Sequence, residues 1–278
     1  MNDAQGFAPA IPVALSLLPS GRLLVDAEYL YSEVMREAAQ RQQPGSANTS
    51  DDDAFAPHAM LGGGMNGRPG SFVRVAYSGV LRDRPVQQLT DVLRALYADR
   101  DVSGIILALD TGGGSVTSAE LLRDAIRSRN KPVVVHTNYL ASGGVMGTLD
   151  ADEIVALSRS TVVGSIGVVQ QIATFMRDFL NRYFAFEYAD TSPEKNASTR
   201  EFLRTGDTSV YRPLLNELDA LFMAEVAANR PLNAALREST LAGGTWLAEE
   251  AQRRGLIDGI GGTNYVITRL AEAVANYS

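Results

Sequence analysis

Ser142 stands in Ala141-Ser142-Gly143-Gly144, where a buried apolar strand gives way to a short apolar helix. A serine at a helix N-terminus is most often a cap. Here Ala141, Gly143 and Gly144 are small, which leaves room for another chain to approach the hydroxyl. The first amides of a helix also lack intrahelical acceptors and can meet a developing oxyanion. Upstream lies a glycine-rich turn, Asp110-Thr111-Gly112-Gly113-Gly114, at the C-terminal end of a strand, where α/β sheets place their sites. Taken alone, three glycines read as a tight turn. Beside Ser142, an amide of Gly113 or Gly114 could supply half of an oxyanion hole and Gly143 the other half. The chemistry these residues suit is attack of a serine oxygen on a carbonyl carbon.

Such a serine needs a base. His136 ends a strand six positions before Ser142, and a ring so placed reads as a strand residue with a local partner. The alternative is an amine. A lysine accepts a proton only when burial pulls its pKa far below the ordinary value of about 10.4. The chain has two lysines, Lys131 at the start of a strand before the serine and Lys195 after it. Lys195 lies in Thr191-Ser192-Pro193-Glu194-Lys195-Asn196, which by itself reads as an exposed loop.

These residues must be positioned by a regular scaffold, and from Ser71 onward strands and helices alternate. Phe72 to Leu81 reads as a strand and Pro85 to Tyr97 as an amphipathic helix with proline in its first turn. Val102 to Leu109 is a nearly unbroken apolar run, the pattern of a strand buried on both faces. Thr117 and Glu120 have capping-box spacing for a helix over Ser118 to Arg129. Strands are expected at Pro132 to His136, Glu153 to Leu157 and Phe184 to Tyr188, with a helix from Gln170 to Arg182. Helices are expected over Val210 to Asn229, Trp246 to Arg254 and Tyr265 to Ala275. Repeated strand-helix-strand units predict an α/β fold with a largely parallel sheet.

The N-terminal part reads differently. Leu23, Ala27, Leu30, Val34 and Ala38 recur at helical spacing, so residues 1–41 are expected to form an extension with a helix over 20–41. Residues 42–70 are rich in Gly, Pro, Ser, Asn and Asp and predict a flexible linker; residues 71–278 then form the main domain.

Composition narrows the chemistry further. With no cysteine there can be no disulfide, thiolate metal site or cysteine nucleophile, and His58 and His136 alone cannot build a histidine-rich metal centre. A net charge of −7 argues against nonspecific binding to nucleic acid or to an anionic membrane. The apolar run Ile11 to Leu18 is too short to span a bilayer and lacks a basic leader, so a cytoplasmic protein is expected.

The stretch from Phe72 to Gly261 resembles the serine peptidases related to signal peptide peptidase A, a family that includes phage head-maturation proteases. The resemblance is carried in order by Asp110-Thr111-Gly112-Gly113-Gly114-Ser115-Val116, Ala141-Ser142-Gly143-Gly144, Ala151-Asp152-Glu153-Ile154-Val155-Ala156, Val163-Gly164-Ser165-Ile166-Gly167-Val168 and Gly255-Leu256-Ile257-Asp258. It implies a Clp/crotonase-like spiral of repeated ββα units with C-terminal helices. It also implies Ser142 as nucleophile, Lys195 as general base and Ser165 as the hydroxyl that orients the amine. No cofactor or metal is implied. The partners it implies are a polypeptide substrate and further copies of the chain in a ring or dome. Two positions depart from the family pattern: Gly112 stands where a proline is usual, and Ser192-Pro193-Glu194 replaces the usual context of the base. Two other readings stay open, a catalytically silent assembly protein of the same family and a crotonase-type enzyme acting on acyl-CoA.

Overall fold

A computed structural model describes residues 16–17, 23–24, 55–61, 70–172, 174–183, 192 and 194–277. The chain divides into two compact units, Met1–Asn48 with Gln171–Asp207, and Thr49–Gln170 with Thr208–Ser278. The first unit contains a short antiparallel pair, β1 (Ser16–Leu17) with β2 (Leu23–Leu24). The helix expected over 20–41 otherwise lies outside the described residues, as does the strand expected at Phe184 to Tyr188.

In the second unit, β3 (Phe55–Leu61) falls inside the stretch read as a linker. Its composition hides it, but it pairs antiparallel with β4 (Ser71–Ser78) and so closes one edge of the sheet. The chain continues through helix α1 (Asp83–Ala98), β5 (Val102–Asp110), helix α2 (Val116–Arg127), β6 (Val133–Thr137), β7 (Tyr139–Ala141), helix α3 (Gly143–Thr148), β8 (Glu153–Ala156) and β9 (Val162–Gly164). Helices α4 (Thr174–Tyr183) and α5 (Ala197–Thr205) belong to the first unit, where Asn181 Nδ2 donates to Leu203 O at 2.8 Å. The second unit resumes with α6 (Arg212–Asn229), α7 (Arg237–Thr240), β10 (Thr245–Leu247), α8 (Ala248–Arg253), β11 (Gly259–Ile260) and α9 (Thr263–Asn276).

The main sheet has six strands in the order β11-β8-β6-β5-β4-β3, and all its pairings except β3–β4 are parallel. The apolar run of β5 has a simple cause. Its side chains alternate between faces, and both faces are covered. Ile105, Leu107 and Leu109 join Leu89 and Leu93 of α1 and Leu122 and Ile126 of α2 in one core. Ile106 turns the other way and packs with Val134, Val155, and Val266 and Leu270 of α9. A second sheet, β10-β9-β7, stands beside this one and ends at the serine of interest.

Several predicted boundaries shift, two of them for a visible reason. Helix α2 begins at Val116 because Ser115, not Thr117, is its N-cap: Ser115 Oγ accepts the Ser118 N–H at 3.0 Å. Trp246 is not helical. It pairs with Val163 in the β10–β9 ladder, so the helix starts at Ala248.

Candidate active site

Ser142 is the hinge between β7 and α3, and its backbone is forced from both sides. Ala141 pairs with Gly164 of β9 and donates its N–H to Thr111 O at 3.0 Å. The Ser142 N–H donates to Gly164 O at 2.9 Å, while its carbonyl accepts Met146 N–H at 3.2 Å and opens α3. The chain turns between these anchors with Ser142 at φ 51°, ψ −122°, a conformation suited to glycine. The side chain caps no helix amide, and the residue is partly exposed. The small neighbours are packed closely on the protein side. Gly143 and Gly144 are buried, and a Cβ on them would stand 3.3 Å from Ala119 Cβ and 2.5 Å from Thr111 Cγ2. Their size lets α3 pack inward, and Ser142 itself lines a cleft.

The glycine-rich turn is held against this hinge. Asp110 Oδ1 accepts the N–H groups of Asn138 and Tyr139 at 2.6 and 3.2 Å and the Thr137 hydroxyl at 3.3 Å. That carboxylate ties the end of β5 to the start of β7, a role not apparent from the motif alone. Gly113 has φ +100°, and a Cβ on it would stand 2.8 Å from Ser142 Cβ and 2.9 Å from Gly143 N. A Cβ on Gly114 would collide with Leu81 O at 2.0 Å. Gly112 needs no such freedom, since a Cβ there makes ordinary contact with the Tyr139 ring at 3.4 Å. Of the candidate amides, that of Gly113 is already donated to Thr111 Oγ1 at 3.0 Å. Among the described residues, the Gly114 and Gly143 amides have no backbone acceptor. They lie close together, for a Cβ on Gly143 would be 3.4 Å from Gly114 N.

Ser165 shares the strained geometry of Ser142, with φ 54°, and its N–H donates to Gly244 O at 2.7 Å. Ser142 and Ser165 open onto one cleft of about 480 Å³, walled by Ile166 to Val169, by Asp219 and Met223 of α6, and by Leu241 to Gly243. Asp219 did not stand out in the sequence, because its helical spacing reads as an ordinary polar face. Lys195 stands in the exposed turn before α5, in the first unit, and its N–H donates to Ser192 O at 3.1 Å. His136 is engaged elsewhere: its Nε2 lies 3.0 Å from Gly261 O, and burial holds its pKa below the ordinary histidine value. Lys131 Nζ is bound to Leu96 O at 2.8 Å and to Asp99 O, at the C-terminal end of α1.

A largely parallel α/β sheet, a flanking three-stranded sheet and a serine on a strained strand-to-helix turn define a Clp/crotonase-like fold. Residues 125–276 match the sequence profile of peptidase family S49, and the chain belongs to that family. It is 27% identical over 187 residues to Protease 4 of Haemophilus influenzae, covering 66% of this chain and 30% of that protein. It is likewise 27% identical over 197 residues to the chloroplastic serine protease SPPA of Arabidopsis thaliana, covering 68% of this chain and 28% of that one. The chain thus spans under a third of the length of these two relatives. A crystal structure described as an enoyl-CoA hydratase from Mycobacterium avium paratuberculosis superposes with a TM-score of 0.50 at 17% identity. That match covers 79% of this chain and 76% of the other, and the likeness is one of fold. Among the described residues, no helix is long and apolar enough to cross a membrane.

Proposed function

We propose that this chain is a serine endopeptidase that cleaves peptide bonds through an acyl-enzyme on Ser142. The observation that carries the reading is the pairing of Ser142, held at φ 51° with its hydroxyl off the helix cap, with the free amides of Gly114 and Gly143 beside it. In this mechanism Ser142 Oγ attacks the peptide carbonyl as its proton passes to the neutral amine of Lys195. The Gly114 and Gly143 amides hold the negative oxygen of the tetrahedral intermediate. The proton then passes from Lys195 to the departing amine as the C–N bond breaks. Water adds to the acyl-enzyme with Lys195 again taking a proton, and Ser142 is restored. The Ser165 hydroxyl orients the amine.

The assignment of Lys195 rests on the family resemblance and on its place in the chain after the serine. An amine works as a base only when shielded from water, and Lys195 is exposed here. The reading therefore requires that Nζ be desolvated in the working enzyme, by substrate or by further copies of the chain. Exposed Leu214 and Leu221 on α6 support a homo-oligomer. We further propose a processing role of the kind the resemblance suggests, in particle or head maturation or in peptide degradation within the cytoplasm.

The test is reaction with a fluorophosphonate probe, with the adduct located by mass spectrometry. Labelling at Ser142 that disappears in Ser142→Ala and Lys195→Ala is the expected result. No labelling in any assembly state would make this a silent, structural member of the family.

A further inference from the structure

The cleft beside Ser142 has an amphipathic wall: Ile166, Val168, Met223 and Leu241 supply apolar surface, and among its polar groups is a carboxylate. Asp219 projects from α6, is half-buried, and accepts the Val168 N–H on Oδ1 at 3.2 Å. That bond fixes the carboxylate against the segment that leaves Ser165. Among the described residues, no other charged residue lines the cleft and no lysine or arginine pairs with Asp219.

This sets Asp219 apart from the other half-buried carboxylates of its unit. Asp150 holds Arg123 at 2.5 Å, Asp152 holds Arg129 at 2.8 Å, and Glu153 holds Arg269 at 2.9 Å. Asp110, which pairs with no arginine among the described residues, accepts three hydrogen bonds from residues 137–139. A half-buried carboxylate with a single amide partner is under-compensated, and a cation entering the cleft would complete it.

We propose that this cleft binds a lysine or arginine side chain of the substrate peptide and that Asp219 selects it. Long basic side chains combine an apolar stem with a charged head. The stem matches Val168, Met223 and Leu241, and the head reaches Asp219. A volume of about 480 Å³ is ample for one such side chain. A neutral side chain of similar length would fill the same walls but leave the carboxylate unpaired, and an acidic one would be repelled. The proposal rests on Ser142 being the nucleophile, since the cleft is defined by its opening beside that residue.

The experiment compares fluorogenic peptides that differ at one position, Arg, Lys, Met or Glu, with that position scanned on both sides of the cleaved bond. Asp219→Asn removes the charge while its amide oxygen can still accept the Val168 N–H. Glu217→Gln, on the exposed side of α6 and outside the cleft, changes net charge equally and serves as control. At one position the wild type should favour Arg or Lys over Met by about tenfold or more in kcat/KM. Asp219→Asn should bring that ratio near one, and Glu217→Gln should preserve it. A ratio near one in the wild type, or one unchanged in Asp219→Asn, would overturn the assignment. Fluorophosphonate labelling of each protein tests the nucleophile separately. Should labelling fail, fluorescence anisotropy of the same peptides on Ser142→Ala, with and without Asp219→Asn, still decides whether the cleft prefers a cation.

Discussion

The strain at Ser142 is set by hydrogen bonds on either side of it, and a backbone at φ 51°, ψ −122° costs a residue bearing a Cβ about 1–3 kcal/mol. The two conservative replacements should therefore diverge. Ser142→Gly relieves the strain and should raise stability by about 1 kcal/mol, whereas Ser142→Ala keeps the Cβ and should leave it nearly unchanged. Both should abolish probe labelling. Equal urea midpoints for the two variants would mean that the turn stores no strain. Gly113 provides the converse case. An alanine there must accept φ +100° and place its Cβ 2.8 Å from Ser142 Cβ, with no flexible side chain to yield. Gly113→Ala should cut the labelling rate at least tenfold, while Gly112→Ala, whose Cβ has room, should label within about twofold of wild type. The sequence made Ser142 visible through its small neighbours and its strand-to-helix setting. It could not show that Gly113 is spent on Thr111 Oγ1, because that bond depends on how the turn closes.

At the scale of elements, most strands were legible because burial on both faces writes a continuous apolar run, as in β5 and β6. What escaped notice is decided by pairing rather than by local pattern: β3 in a polar stretch, and Trp246 in a ladder with β9. The helices are joined by charges whose partners lie far apart in sequence, which no local reading reveals. Arg123 of α2 is buried between Asp150, just beyond α3, at 2.5 Å and Glu225 of α6 at 2.8 Å. Burial alone would raise the Asp150 pKa, but hydrogen bonds from Arg123 and Arg127 outweigh it and hold the carboxyl below its ordinary value. Asp150 thus adds stability above its unfolded pKa of about 3.9, and that stability is lost as pH falls through the lower folded value. Arg123→Met leaves Asp150 with only the more exposed Arg127 and should cost about 3 kcal/mol at pH 7, near the low end for a broken buried pair because Arg127 remains and Glu225 is partly open to solvent. The gap between the two proteins should narrow on going to pH 3. Urea unfolding followed by the single Trp246 would measure it, and a gap that persists in acid would assign the loss to packing instead of charge.

On the scale of the whole molecule, the family motifs span Phe72 to Gly261 in one continuous order, yet the chain folds with Gln171–Asp207 in a separate compact unit from the sheet that surrounds it in sequence. Helix patterning in that segment does not mark the division, since α4 and α5 are as amphipathic as α1 and α2 of the other unit. The charge of the molecule, by contrast, is plain from the sequence: 32 acidic against 25 basic residues give a net −7. Such a field attracts cationic peptides over distances set by the Debye length, about 10 Å at 0.1 M salt and about 3 Å at 1 M. Its effect differs from that of Asp219, which acts on a side chain already seated in the cleft. Raising salt from about 50 mM to about 500 mM should therefore lower kcat/KM several-fold for an Arg peptide and little for its Met counterpart. Asp219→Asn should keep most of that salt dependence while losing the discrimination measured at high salt. If the variant loses both together, attraction of basic peptides is the work of one carboxylate and owes nothing to the acidic surface as a whole.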